Sequence, residues 1–532
     1  MKLFILESPT KAKTVARYLG KGWSVVATLG HIRDLPRDSL GVDEETLKPT
    51  FFWVKGKKPL MERIKRMASR AQTVYIGTDP DREGEAIAYF VHEELKSLKK
   101  PIHRAIFYEI TKESILESIK RAGGINLNLV HAQFARRVLD RLIGYKLSPY
   151  LWRELKKAGL SIGRVQSPAL RLIVEREREI ISFKKKELYY VRVLFEKDGV
   201  EFYAVWDYAF EKPENAKPFL QKIKDALFEV KEFKKIVEEK EPPKPFITAS
   251  LQAVASQKLG FSVEKVQSLA QSLYERGYIT YPRTDSYRMN EERAREFMEY
   301  IAKTYGREYV GSLRKFKTKS TAQGAHECIR PTGIDSPPTQ DWAFKLYRLI
   351  LLRTLASLSS PAKLEQKLAA IIPICKGCES IELTARGGDL LFDGYLKIYQ
   401  EQVELKRLPE LQRGEVLKPV KVELERKQSQ PPPRYTEGSL IKKLEHLGIG
   451  RPSTYATIVK TLKDRGYVIE ERGYLKPTEI AFQVVDYIKE HFSKVVDYEF
   501  TARLEALLDL VEEGKEDWKK VVRKSFEDAI NL

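Results

Sequence analysis

The first 120 residues alternate between two hydrophobic patterns. Short apolar runs stand at 3–6, 24–28, 73–77 and 104–110. Stretches with apolar residues three or four apart separate them, at 11–19, 60–69 and 83–95. The first pattern predicts strands and the second amphipathic helices. Their alternation predicts an open α/β sheet with helices on both faces, in which chemistry gathers beyond the carboxyl ends of the strands. Helical spacing dominates 126–181 and carries many arginines. From 188 to 241 the pattern turns to alternation, as in YYVRVLFEKDGVEFYAVW, which predicts strands. A proline joint, EPPKPF, then opens a helical stretch to about Pro361. Strand patterns return through Leu424, and a second joint, QSQPPPRYT, precedes a helical C-terminal region. Two β-rich pieces flanking a helical insert predict discontinuous domains.

An internal repeat supports that division. Ser250-Leu251, Leu259-Gly260 and Arg276-Gly277-Tyr278 after the first joint match Ser439-Leu440, Leu447-Gly448 and Arg465-Gly466-Tyr467 after the second. Both copies predict two helices and a glycine turn into a strand, a helix-turn-helix-like arrangement. Continued without gaps, the match sets Tyr281 opposite Glu470, so the shared scaffold does not explain Tyr281.

Composition narrows the class. At 532 residues the chain has room for about three or four folding units. With 42% hydrophobic and 32% charged residues it is not a disordered chain. There is no apolar run of membrane-spanning length, and MKLFILESPTKAK lacks the order of a signal peptide. A cytoplasmic, nucleoid-associated protein is therefore expected. The excess of 94 Lys and Arg over 74 Asp and Glu leaves a net charge of +20, which favours a polyanion such as nucleic acid. A merely basic protein is the alternative. Three cysteines exclude a disulfide framework and fit a reducing compartment. Cys375 and Cys378 form one CxxC, half of a zinc site, and read better as a simple turn. Few asparagines beside abundant Lys, Arg and Glu fit a thermophile.

Two segments carry candidate chemistry. Thr78-Asp79-Pro80-Asp81-Arg82-Glu83-Gly84-Glu85 follows an apolar strand and opens a helix. Three carboxylates so close repel one another unless a cation is present, and hard oxygens suit Mg²⁺. A solvated acidic helix start is the alternative. Glu7 ends the first strand, at the same expected sheet edge, and Lys11 could supply charge to a phosphate. The second segment is Tyr278-Ile279-Thr280-Tyr281-Pro282-Arg283-Thr284-Asp285-Ser286. A phenol of pKa near 10 is a reversible leaving group from phosphorus. Arg283, two residues on, would share a strand face with Tyr281 and grip phosphate oxygens. Among many tyrosines, packing is the alternative role.

The motifs LESPTKAKTVARYLG, GHIRDLP, TDPDREGEAIA, RRVLDRLIGYKLSP, LSIGRVQSPALRLIVERE, GYITYPRTDS, HECIRPT and GIGRPSTYATI occur in order over nearly the whole chain. Together they resemble the type IA DNA topoisomerases, the bacterial topoisomerase I group in particular. The resemblance implies a multidomain α/β plus α and β fold. Its parts would be a Toprim α/β domain (1–123), a helical DNA-binding domain (124–182 and 426–532), a β-rich arch (183–245 and 362–425) and a helical domain carrying the nucleophile (246–361). These would close a torus.

The resemblance also implies ATP-independent relaxation of negatively supercoiled DNA through a 5′-phosphotyrosine. Tyr281 would be the nucleophile, Arg283 its phosphate partner, and Glu7 the proton donor to the leaving 3′ oxygen, with Lys11 and His326 assisting. Glu7, Asp79, Asp81 and Glu83 would hold Mg²⁺. A single-strand groove is implied along Arg136, Arg137, Asp140, Arg141, Tyr145 and Trp152, then Ser161, Ile162, Gly163, Arg164, Val165 and Gln166, with His31 and Arg451 as further DNA contacts. Residues matching Arg137, Asp140 and Tyr145 would favour a cytosine upstream of the cut. Arginines tracking phosphates beside aromatic stacking faces suit a single strand. The chain departs from many bacterial members in having no repeated four-cysteine ribbons. A monomer acting on DNA is expected. The topoisomerase subunit of a split reverse gyrase, a Toprim nuclease or primase, and a non-catalytic clamp are the alternatives. No GxxxxGK[ST] loop marks an ATP motor.

Overall fold

A computed structural model describes residues 1–317, 326–334 and 341–531. Its N-terminal unit is a parallel four-stranded sheet in the order Trp23–Ala27, Lys2–Leu6, Thr73–Ile76, Ile102–Arg104. Leu3, Phe4, Ile5 and Leu6 are all fully buried, because this strand is covered on both faces. Alternate residues enter different cores. Leu3 and Ile5 pack with Ile64, Ile87 and Val91 of two helices, whereas Phe4 and Leu6 pack with Val15 and with residues of the unit that carries Tyr281. The fourth strand is shorter and earlier than its apolar run predicts. Residues 105–110 leave the sheet, and the Tyr108 carbonyl accepts the amide of Tyr281 at 2.8 Å.

Helix Leu127–Leu155 shares the first core with Gln166–Ser182, Tyr455–Asp464, Tyr498–Glu512 and Trp518–Ile530. A separate, wholly antiparallel sheet of seven strands joins both β-rich segments. Its order is Val416–Leu417, Leu227–Lys240, Ala362–Ile374, Leu383–Phe392, Val200–Trp206, Glu187–Lys197, Pro419–Gln428. One element there corrects the all-strand expectation: Pro213–Ile223 is a helix. Ala216 and Ile223 are buried, and Phe219 and Leu220 pack beside them, which is helical rather than alternating spacing.

The repeat forms two helix pairs, Thr248–Leu259 with Val263–Glu275 and Glu437–Leu447 with Tyr455–Asp464. The copies pack on each other so closely that a Cβ on Gly438 would lie 2.9 Å from the Ala253 backbone. Only the second copy turns into a strand, Val468–Glu471. In the first, Ile279 makes one isolated bridge to Pro331, and Tyr281 to Arg283 lie outside any ladder. The expected shared strand face is therefore absent; the backbone there is drawn toward Tyr108 instead. The expected helical stretch to Pro361 contains Glu291–Thr304 and Trp342–Ser357, while 318–325 and 335–340 lie outside the described residues.

Cys375 and Cys378 are joined by a disulfide between Ala362–Ile374 and Leu383–Phe392, which corrects the reading of that CxxC as a plain turn without a bridge. Cys328 is free and fully buried, and burial pushes its thiol up to about 12. No helix among the described residues is long and apolar enough to cross a membrane.

These environments predict three labelling states. The native protein should take up no thiol reagent, since Cys328 is both buried and protonated. Mild reduction should expose the half-buried Cys375 to alkylation, and Cys328 should react only after denaturation. Mass mapping of the alkylated peptides checks this, and labelling of Cys328 in the native state would contradict the burial.

Candidate active site

The sheet delivers the acidic groups. Lys2–Leu6 ends at Glu7, and Ser8 then caps helix Pro9–Leu19 by accepting the Lys11 amide. That helix turns Lys11 back into the interior, where its Nζ is 2.9 Å from both Glu7 Oε1 and Asp79 Oδ1. The Lys11 side chain is fully buried, beside the rings of Phe107 and Tyr274. Thr73–Ile76 leads into Asp79 and Asp81. Asp81 is the N-cap of Arg82–Leu95, with Oδ1 accepting the Gly84 amide at 2.7 Å. Gly84 has no room for a side chain: a Cβ would lie 1.9 Å from the Asp79 carbonyl oxygen. This close approach folds the acidic loop tightly against its helix.

The electrostatics divide the carboxyls. Burial and the neighbouring Asp79 raise Glu7 well above the usual carboxylate range against the pull of Lys11, and so favour its protonated form. Burial opposes charge on Asp79 most strongly, but Lys11, the Glu7 hydrogen bond and Arg283 together outweigh it and bring Asp79 down to about 2. Glu83 likewise falls to about 2 despite burial, through His31 at 3.0 Å and the charges of Arg82 and Arg283. Glu7 Oε2 is buried without a hydrogen-bond partner. Among the described residues, no group of three or more His, Cys, Asp or Glu side chains stands ready to hold a metal ion. Lys11, Tyr281 and His31 each occupy one side of the acidic set instead.

Tyr281 comes to this edge from the other unit. Its hydroxyl donates to Asp81 Oδ2, and Arg283 Nη1 lies 3.5 Å from the same oxygen. Burial and then Asp81 push the phenol far above its usual range, against the pull of Arg283. His326 completes the ring of groups, its imidazole edge-on to Tyr108 and Tyr281 at centroid distances of 4.9 and 6.1 Å. Burial brings His326 down to about 4, so it is neutral near pH 7, and its Nδ1 has no partner among the described residues.

Helical periodicity sorts the expected groove residues. Arg137, Asp140, Arg141, Tyr145 and Trp152 line one long groove with Ser161, Ile162, Gly163, Arg164 and Gln166. Tyr145 and Trp152 present exposed aromatic surface there. Arg136, one residue out of phase, is buried and bonded to Glu505 and Asp509, so it does not face the groove as expected. Val165 also turns inward. Arg164 is nearly buried between Asp140 and Glu505, with little surface left for a ligand. Arg451 pairs with Asp509 and lines a separate narrow cleft with Asp81, Arg82 and Arg283.

Sequence reasoning missed several participants. Arg37 lines the groove from just beyond the GHIRDLP motif, and Arg465 from the end of helix Tyr455–Asp464, where the repeat match gave it only a scaffold role. Glu505 and Asp509 gather Arg136, Arg164 and Arg451, although Arg164 lies 341 positions from Glu505 in the chain and Arg136 lies 369 from it. Arg104 is the most consequential omission. Its guanidinium donates to the carbonyls of Ile76, Thr78, Asp79 and Ala105, and it pairs with Glu85 at 2.8 Å. Both side chains are 1% exposed. A charged residue opening the apolar run 104–110 was the available signal.

This combination of a carboxylate-lined parallel sheet and a tyrosine-arginine pair from a second unit defines an enzyme of phosphodiester chemistry. The comparisons with known proteins agree. The DNA topoisomerase family model matches residues 124–523, and the Toprim domain model matches residues 2–110. DNA topoisomerase 1 of Aquifex aeolicus is 57% identical over 531 residues, which cover 99% of this chain and 98% of that protein. The structure of full-length topoisomerase I from Thermotoga maritima superposes with a TM-score of 0.89 at 39% identity, covering 99% of this chain and 90% of that one. The chain belongs to the type IA DNA topoisomerases, isomerases that relax DNA. A split reverse-gyrase subunit and a nuclease or primase are not favoured.

The Arg104–Glu85 pair generates a stability prediction. Glu85→Ala leaves a buried guanidinium without its counter-charge and frees the Asn126 amide that Glu85 also accepts. Removing one partner of such a pair costs about 3–5 kcal/mol. Denaturant unfolding of the variant should show this loss, and a change below about 1 kcal/mol would mean that water reaches Arg104.

Proposed function

We propose that Tyr281 cuts one DNA strand and holds its 5′ end while the 3′ end stays at Glu7 and Lys11. The observation that carries this is the meeting of Tyr281, Arg283 and Asp81 at the carboxyl edge of the sheet. In cleavage the Tyr281 oxygen forms a bond to phosphorus as the bond from phosphorus to the 3′ oxygen breaks. Asp81 is positioned to accept the phenolic proton, and protonated Glu7 to donate one to the leaving 3′ oxygen. Arg283 neutralises the bound phosphate, and Lys11 holds the Glu7–Asp79 pair in place. The phosphodiester energy is conserved in the tyrosyl ester, so the reverse reaction needs no ATP.

The acidic set offers the hard oxygens that magnesium prefers, including the unpartnered Glu7 Oε2. In this conformation Lys11, Tyr281 and His31 take up its other sides, and no ready-made cluster is present among the described residues. Asp79, Asp81 and Glu83, with Glu7, would hold the ion. When bound it supplies positive charge that aligns the broken ends for rejoining. His326, neutral and packed on Tyr281, orients the ring. Both halves of the site come from one chain, which supports a monomer as the working unit. The groove of Arg137, Arg141, Tyr145 and Trp152 would seat the strand upstream of the cut, with His31 and Arg451 nearer the acidic loop.

Tyr281→Phe should abolish covalent adducts with a labelled single strand while changing DNA affinity by less than about twofold, because no charge is lost. Tyr278→Phe, at the repeated scaffold position, should still form them. Denaturing gels check both, and adducts from Tyr281→Phe would exclude Tyr281 as the nucleophile.

The stacking groove also dictates which DNA is acted on. Bases must leave the duplex first, at about 1.4 kcal/mol per base-pair step. Negative supercoiling supplies that energy and positive supercoiling opposes it. Positively supercoiled plasmid should therefore relax only when it carries a single-stranded bubble. Equal relaxation with and without the bubble would contradict a single-strand gate.

A further inference from the structure

A second aromatic and cationic surface lies on the unit that carries Tyr281. Immediately after the catalytic segment, Tyr287 and Arg288 enter the wall of a cavity of about 660 Å³, which Arg295, Arg314, Lys315 and Phe316 also line. Tyr287 and Phe316 form a tilted ring pair with centroids 5.4 Å apart. Lys244 Nζ sits 4.9 and 5.3 Å from the two rings, and the Arg314 guanidinium lies 5.1 Å from Phe316. Arg314 donates through Nη2 to the Pro243 carbonyl, but its buried Nε has no partner. Glu291 and Glu292 occupy the rim, Glu291 being 3.9 Å from Arg295. Interleaved cations and aromatic faces are what a single-stranded nucleic acid needs: charge for phosphates and rings for bases.

The position of this cavity selects which part of the strand it serves. Five residues separate Tyr281 from Tyr287, six steps that span no more than about 20 Å of extended chain. Arg288 is fastened to the His326 segment, its carbonyl accepting the Cys328 amide at 2.7 Å and its Nε donating to the His326 carbonyl at 3.3 Å. His326 in turn packs on Tyr281. The cavity and the nucleophile thus share one packed body, whereas the groove of Arg137 and Trp152 belongs to the other side of the break.

We propose that this cavity seats the nucleotides on the 3′ side of the cut, those that remain linked to Tyr281 through the 5′ phosphate. The proposal rests on Tyr281 being the nucleophile. Any separation of Tyr281 from the acidic edge would carry this arm of the strand along with its tyrosine. Stacking on Tyr287 and Phe316, with phosphates on Arg314 and Lys315, holds the arm in register for rejoining.

The test uses two labelled single strands with the same 5′ side. One carries a single nucleotide beyond the cut and the other about five. With the unmodified protein, the longer arm should raise covalent-adduct affinity about tenfold, the order of one base-stacking contact. Phe316→Ala and the exposed Lys315→Glu should each abolish most of that gain while leaving adduct formation on the short strand unchanged. A photoreactive base two or three nucleotides beyond the cut should crosslink to Tyr287 or Phe316. No dependence on arm length in the unmodified protein, or full dependence in both variants, would overturn the proposal. Variants that keep the dependence but lose plasmid relaxation would assign the cavity to the passing strand, and this too overturns it. Failure of the unmodified protein to form any adduct would instead remove the Tyr281 reading on which the proposal stands.

Discussion

Carboxylates crowded at the end of a parallel sheet repel one another, and the buried ammonium of Lys11 is what makes the arrangement tolerable. With its Nζ 2.9 Å from both Glu7 and Asp79, it couples the first strand to the third. It lowers the proton affinity of both acids, but burial and Asp79 still hold Glu7 well above the usual carboxylate range while Asp79 falls to about 2. Without that cation the two would share their protons more evenly, and neither would have a defined role. The buried lysine is itself charged only because both acids surround it.

The same logic extends outward in shells. Arg104 holds the carbonyls of the acidic loop from behind, and Glu85 balances it. Arg283 balances Asp81 from the front, and the Tyr281 hydroxyl occupies the remaining side of that carboxylate. Part of the contact between the two units is thus made through the Tyr281 hydroxyl itself. Burial of Tyr281 and the adjacent Asp81 raise the phenol far above its ordinary range.

Farther away, charge pairing takes on a structural task. Glu505 and Asp509 draw Arg136, Arg164 and Arg451 into the interior from a helix, a loop and a turn that lie far apart in the chain. Each arginine directed inward fixes the backbone from which its neighbours face outward. Arg137 and Arg141 therefore stand on the groove side of the helix whose other side Arg136 anchors.

Local order could be read directly wherever adjacent residues set it. The apolar runs predicted three of the four strands of the first sheet nearly to their ends, most plainly Lys2–Leu6, whose burial on both faces requires apolar residues throughout. The acidic segment was placed at a strand-to-helix turn, because a carboxylate favours a helix N-terminus and Gly84 permits the close approach. Motif order along the chain marked the family. The helix Pro213–Ile223 was overlooked because its apolar residues stand at helical spacing within a largely alternating region. Other features depended on partners remote in sequence. Tyr281 left the strand predicted by its repeat because Tyr108, displaced from the sheet, takes its amide. Arg136 and Arg137 are indistinguishable as residue types, and only the acids of a helix about 370 residues later decide which one is buried. Sequence alone determined most of the elements and the family, since these follow from neighbouring residues and from motif order. Tertiary structure alone decided protonation, orientation and pairing, since a charge responds to whatever lies within a few ångströms, whichever part of the chain supplies it.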